Sequence, residues 1–229
     1  MNRIQKGQKG FTLLELLVII AIIAVLSVVS VIVINPTQTL QEARDLQRIS
    51  DLAMIKSAFG IYLTTTSSPQ LDGITGIAND RCDGGSKTNK KLWVSVPSTI
   101  TTITDARPPI EWTSSTTSWG QSMTVASSTV SNGTGWIPVN FDGILRRGSP
   151  ISSFPLDPTN TVTATEVTNS DLMYRYACKK FPLSYEVNAK LESTEYTIND
   201  NYGSKDGGNN ATLYEVGNDL SILPSTNDF

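Results

Sequence analysis

Hydrophobic and polar positions change pattern three times along the chain. From Phe11 to Ile34 the sequence FTLLELLVIIAIIAVLSVVSVIVI is apolar on every side of a helix, with Glu15 as its one charge and no proline or glycine. At ~1.5 Å rise per residue the run spans about 36 Å, enough to cross a hydrocarbon core of ~30 Å with some tilt. A helix half-buried on a soluble domain would carry polar residues along one face. A membrane segment is therefore predicted. Asn35-Pro36 follows. Proline lacks an N–H and disfavours the helical conformation at the preceding residue, which predicts a kink or short break there.

Helical periodicity resumes from Thr37 to about Leu63. Leu46, Ile49, Leu52, Ala53, Ile55, Phe59, Tyr62 and Leu63 recur mostly at spacings of three and four and form the predicted buried stripe. Between them Glu42, Arg44, Asp45, Arg48, Asp51 and Lys56 mix both signs, as a solvated helix face does; lateral contact with other copies is the alternative. On such a face Asp45 with Arg48, or Arg48 with Asp51, contributes at most a few tenths of a kcal/mol.

After Leu63 the composition turns to serine and threonine, in runs at 64–68, 98–104, 113–118 and 126–131, which suits strands and turns. Strands are predicted at 92–96, 123–130, 136–140, 173–178, 185–191 and 213–216. The fourth and fifth are joined by a turn containing Pro182 and read as a hairpin. Trp93, Trp112, Trp119 and Trp136 are expected in the core or partly buried in the sheet. The predicted fold class is α+β. A long N-terminal helix, with a membrane half at 11–34 and an amphipathic half at 35–63, packs on an antiparallel β-sheet built from residues 64–229.

Composition narrows the chemistry. The 229 residues carry a net charge of -3 and no histidine. Without histidine there is no Ser-His or Cys-His nucleophile pair, and the commonest transition-metal ligand is missing. No phosphate-binding loop or zinc-type cysteine cluster occurs, and the expectation is that the protein is not an enzyme. Arg3, Lys6 and Lys9 precede the apolar run, and no basic block follows, so nucleic acid is not an expected partner. Positive flanks stay in the cytoplasm, which places the N-terminus inside and the bulk of the chain outside. In that oxidising compartment Cys82 and Cys178 are a candidate disulfide. The loop so closed is worth up to ~4.7 kcal/mol in the chain-entropy treatment.

The oxygen-rich stretch NDNYGSKDGGNN, residues 199–210, offers Asp200 and Asp206 as calcium candidates. A twelve-residue EF-hand loop counted from Asp200 would end on Ala211 where glutamate is required, so a flexible turn is the favoured reading.

The string Lys9-Gly10-Phe11-Thr12-Leu13-Leu14-Glu15 resembles the cleavage and methylation motif of type IV prepilins and of the pseudopilins of type II secretion systems. A short basic leader, a glycine, an aromatic residue and a glutamate at the fifth mature position all stand in the right order. The resemblance implies a leader at 1–10, cleavage between Gly10 and Phe11 by a prepilin peptidase, and methylation of the new amine. It further implies a long helix bearing a sheet, and a filament built of copies of the chain or related pilins. The inner-membrane assembly machinery and, before assembly, membrane lipid are the other implied partners. The implied location is a single-pass cytoplasmic membrane protein that passes into an extracellular or periplasmic filament.

Glu15 has a physical argument of its own. A carboxylate in the bilayer centre costs ~2.5–3.5 kcal/mol, and Glu15 lies one helical turn from the new terminus. Pairing with the Phe11 ammonium of an axially displaced neighbour would set stagger as well as attraction; its own amine is a second partner before assembly. Many pilins close a C-terminal loop with two cysteines, but Cys82 and Cys178 are spaced far wider than that. The loop Phe154-Pro155-Leu156-Asp157-Pro158 resembles the proline- and aspartate-containing loop before the sheet in some pseudopilins. The competing reading is a singly anchored extracytoplasmic binding protein or enzyme that does not polymerise. It accounts for the span and the β-rich domain but not for the coincidence of Gly10, Phe11 and Glu15.

Overall fold

The computed structural model describes residues 10–73, 79–83, 91–97, 113–114, 117–118, 120–122, 129–144, 148–163, 167–168 and 170–223. The chain divides into two compact units, residues 1–40 and 41–229.

In the first unit the apolar run forms α1, Leu13–Ile34. Its Leu13–Ser30 stretch is long and apolar enough to cross a membrane. The two serines in that stretch need no outside partner: Ser27 Oγ donates to Ile23 O at 2.7 Å and Ser30 Oγ to Leu26 O at 2.9 Å. Such back-bonding satisfies hydroxyls where lipid cannot. The helix stops at Asn35, whose φ of 44° lies in the left-handed region. Asparagine tolerates that region, and Pro36 bars the right-handed alternative. Proline then opens α2, Pro36–Thr65, at the first helical position, where its missing N–H has no helical partner to lose.

In the second unit four strands form an antiparallel sheet, β1 (Lys91–Val94), β5 (Tyr174–Lys179), β6 (Ser184–Ala189) and β7 (Tyr214–Gly217), in that spatial order. Two short strands, β2 (Thr113–Ser114) and β3 (Thr117–Ser118), pair with each other. A further strand, β4 (Gly120–Ser122), adds to the outer edge of β1 in parallel. A parallel partner needs a long crossover, and the chain between Val94 and Gly120 supplies one. The β5–β6 hairpin pairs Tyr176 with Val187 and Cys178 with Tyr185. Alternate side chains therefore face α2: Tyr174, Tyr176 and Cys178 from β5, and Tyr185, Val187 and Ala189 from β6.

Phe59 is the centre of the helix–sheet contact. Its ring stacks on Tyr185 at 4.0 Å and on Tyr176 at 5.5 Å between centroids, and meets Phe141 edge-on at 5.1 Å. Leu52, Ile55 and Tyr62 continue the same face. The α2 face nevertheless differs from the predicted stripe. Leu46 is 53% exposed and Ala53 also faces solvent, whereas Asp45 and Arg48 are fully buried. The inward face of the early turns is charged because acidic partners from far along the chain meet it.

Residues 136–140, predicted as a strand, are irregular and touch sheet-like pairing only through a bridge between Asn132 and Asn140. Pro138 has no N–H to give to a ladder. The segment instead buries Trp136, Ile137 and Val139 together, and Trp136 Nε1 donates to Pro155 O at 3.0 Å. Of the predicted strand 123–130, residues 123–128 lie outside the described residues, as do Trp112 and Trp119; Thr129 and Val130 are not in a strand. Trp93 is buried on the helix side of the sheet. Cys82 and Cys178 are joined by a disulfide. The same stretch of chain is tied to β5 by Asp83 N donating to Cys178 O, and Lys180 N to Asp83 O, each at 2.7 Å.

Candidate functional site

The N-terminal end of α1 is built by two side chains. Thr12 is the residue before the first helical turn, with extended backbone (φ -82°, ψ 152°), and its hydroxyl accepts the Glu15 amide at 3.2 Å. Glu15 reaches back: its Oε2 accepts the Thr12 backbone N–H and the Thr12 hydroxyl, both at 3.1 Å. This reciprocal capping box satisfies helix N–H groups that have no partner within the helix, and puts a carboxylate at the positive end of the helix dipole.

Two consequences follow for the residues singled out in the sequence. Gly10 and Phe11 precede the helix, and both are exposed, Phe11 at 79%, so the Gly10–Phe11 peptide is open to solvent. Glu15 is held pointing toward that peptide, with one oxygen engaged by Thr12. Among the described residues its Oε1 has no hydrogen-bond partner. The spacing Thr12-x-x-Glu15 is a capping signature in its own right; that signal was present in the sequence beside the processing motif. The leader residues 1–9, with Arg3, Lys6 and Lys9, lie outside the described residues.

A second cluster, which sequence reasoning missed, fixes α2 within the globular unit. Arg48 forms a two-pronged bond with Asp157, Nε to Oδ2 at 2.7 Å and Nη2 to Oδ1 at 2.9 Å. Its Nη1 donates to Asp45 Oδ1 and to Glu192 Oε1, both at 2.8 Å. Arg44 grips the same Glu192 through Nε at 2.7 Å and Nη2 at 2.8 Å. Asp45 also accepts the backbone amides of Glu192 and Ser193. Burial alone would push the Arg48 guanidinium down, but the bonds from Asp157, Glu192 and Asp45 outweigh it and the net shift is upward. The Arg44 bond, with help from Arg48, holds the Glu192 carboxyl below its usual range. Asp51 does not join this cluster and instead accepts the Tyr174 hydroxyl at 2.7 Å. The Asp157 of the proline-flanked loop is thus an anchor for the helix. Helical spacing revealed Asp45 with Arg48; nothing local pointed to residues more than a hundred positions away.

The calcium candidates are occupied internally. Asp200 pairs with Lys205, and the two oxygens of Asp206 accept the Gly208 amide at 2.8 Å and the Glu215 amide at 2.7 Å. No group of three or more histidine, cysteine, aspartate or glutamate side chains is arranged to hold a metal among the described residues.

These features define a chain with an apolar helix fit to span a membrane, an open peptide just ahead of it, and an acid one turn inside. Residues 5–31 match the family model of the prokaryotic N-terminal methylation motif, the signature of type IV pilins and pseudopilins. The match ends within α1. The α+β arrangement that follows, helices and then an antiparallel sheet, is consistent with a pilin-like fold. No curated protein and no solved structure matches the chain.

Proposed function

We propose that this chain is the precursor of a structural subunit of a type IV pilus or a related pseudopilus, cut after Gly10 by a prepilin peptidase and polymerised through α1. The observation that carries the reading is the methylation motif over residues 5–31, set on a capped helix with Gly10 and Phe11 exposed ahead of it. Three positive charges ahead of the span favour a cytoplasmic N-terminus, the side on which the leader is removed. The chain would then wait in the membrane among lipid, with its globular unit outside, until the inner-membrane assembly machinery draws it into a filament.

Cleavage turns the Phe11 amide into an amine, which the peptidase methylates and which stays cationic. In a bundle of apolar helices that cation and the Glu15 carboxylate of a neighbouring copy are both poorly solvated. Bringing them together relieves both. The capping box favours this pairing, because it aims Glu15 at the helix start while leaving Oε1 for a second donor.

Mass-spectrometric sequencing of the native protein tests the reading. The expected terminus is N-methylated Phe11, in material that is sheared from cells as filaments. Glu15→Ala should still be cleaved yet yield no filaments. An intact leader on protein that stays monomeric in the membrane would overturn the proposal and favour the singly anchored alternative.

A further inference from the structure

A cavity of about 250 Å³ lies between the chain leaving β6 and the segment that leads into β7. Lys190 and Leu191 form one side, residues of the 196–203 stretch a second, and residues 211–213 a third. These walls are tied to one another. Tyr202 N donates to Tyr196 O at 3.1 Å, and the two rings meet edge-on at 4.8 Å. Gly203 lies so close to the opposite wall that any Cβ there would stand 2.4 Å from Leu213 O. Thr212 spends its hydroxyl hydrogen on Asn210 Oδ1 at 2.7 Å.

The lining carries one sign of charge. Of the residues that form it, Lys190 alone is charged. It is partly buried, and among the described residues its ammonium has neither an ion pair nor a hydrogen bond. The acids of the adjoining chain are engaged elsewhere: Glu192 by Arg44 and Arg48, Glu195 by Asn199 Nδ2 at 2.9 Å, and Asp200 by Lys205. Two neutral donors accompany the lysine. Asn201 Oδ1 accepts the Ser204 amide at 3.1 Å, which leaves the Nδ2 hydrogens as the open end of that side chain. The Tyr196 hydroxyl has no hydrogen-bond partner among the described residues. Leu191, Leu213 and the Tyr196 ring supply apolar surface. A larger cavity, of about 470 Å³, sets Lys56 and Lys205 against Asp200, Asp206 and Glu215, and so selects no sign of charge.

We propose that the smaller cavity is a binding site for a carboxylated sugar, one pyranose ring bearing a single carboxylate. The carboxylate meets the Lys190 ammonium in a charge-assisted hydrogen bond. Ring hydroxyls accept from Asn201 Nδ2 and from the Tyr196 hydroxyl, and the C–H face of the ring lies against the apolar wall. An inorganic anion satisfies only the lysine and leaves that wall wet. A neutral sugar covers the wall and leaves the ammonium without a counter-charge. The lining therefore favours a ligand that has both features. The site stands whether or not the chain polymerises.

NMR titration of the full chain in lipid nanodiscs tests the proposal, with methyl glucuronoside, methyl glucoside and acetate as probes. The glucuronoside should bind saturably and at least about tenfold more tightly than the glucoside, the worth of one charge-assisted hydrogen bond. Acetate at equal concentration should not displace it. Lys190→Gln should abolish the preference between the two sugars, Lys190→Arg should keep it, and Tyr196→Leu should weaken the binding of both. Equal affinity for the two sugars, displacement by equimolar acetate, or a preference that survives Lys190→Gln would overturn the proposal. If the variants do not fold, the comparison of the three probes on the wild-type chain is decisive by itself.

Discussion

Replacing Arg48 with alanine removes the cation that α2 inserts between Asp45, Asp157 and Glu192. The side chains of Arg48, Asp45 and Asp157 are all 0% exposed, and that of Glu192 is 14% exposed. After the change Glu192 keeps Arg44, and Asp45 keeps two backbone amides. Among the described residues Asp157 keeps the amides of Thr159 and Asn160 and an electrostatic attraction from Arg175, but it loses its two-pronged ion pair. Removing one member of a buried pair typically costs ~3–5 kcal/mol, whereas an exposed pair is worth ~0.2–1 kcal/mol. With a urea slope near ~2 kcal/mol/M, the larger figure moves the unfolding midpoint down by roughly 1.5–2.5 M. Urea titration of the full chain in detergent, followed by the emission of the buried Trp93 and Trp136, reads this directly. Arg48→Lys should fall between, since it keeps the charge and loses the two-pronged geometry. A double-mutant cycle with Asp157→Ala should return a coupling of ~2 kcal/mol or more. A loss under ~1 kcal/mol with negligible coupling would refute the argument that this cluster anchors the helix. The Glu192 share has a defined pH sense. Its depressed pKa means the contribution is present above the ordinary carboxylate range and lost as pH falls through and below it.

Two further predictions concern the ends of the molecule. Thr12→Val removes the hydroxyl that accepts the Glu15 amide and should cost α1 about 1 kcal/mol. Its first turn should fray in micelles by amide exchange, with Thr12→Ser close to wild type; an equally protected Glu15 amide in Thr12→Val would rule out the cap. Reducing the Cys82–Cys178 bond, which spans 96 residues of sequence, should lower stability by up to ~4.7 kcal/mol. A Tm unchanged by reductant would show that the crosslink does not constrain the unfolded chain.

The elements that could be read in advance were those whose signals are local. The span of α1, its interruption at Asn35-Pro36 and the β5–β6 hairpin all depend on residues adjacent in sequence, and they stand within a few positions of where the pattern put them. The α2 face was misjudged because periodicity ranks positions by hydrophobicity. Leu46 scores as core and Arg48 as surface until Asp157 and Glu192 are known to lie against the helix. Residues 136–140 have the composition of a strand, yet Pro138 and the need to bury Trp136 made them a core-filling loop. The candidate site divides in the same way. Gly10, Phe11 and Glu15 were legible from their spacing, while the Thr12–Glu15 cap had a legible signature that a reading centred on charge passed over.

The sequence by itself determined the segment apolar enough to cross a membrane and the methylation motif that overlaps it. A peptidase reads a contiguous string, and a bilayer selects on the apolarity of a continuous helix; both are properties of neighbours along the chain. Tertiary structure alone decided which charges would be buried. Asp45, Arg48, Asp157, Glu186 and Glu215 carry no sequence mark of burial. The free energy of a charge inside a protein depends on what stands within a few ångströms of it, and those partners come from distant parts of the chain.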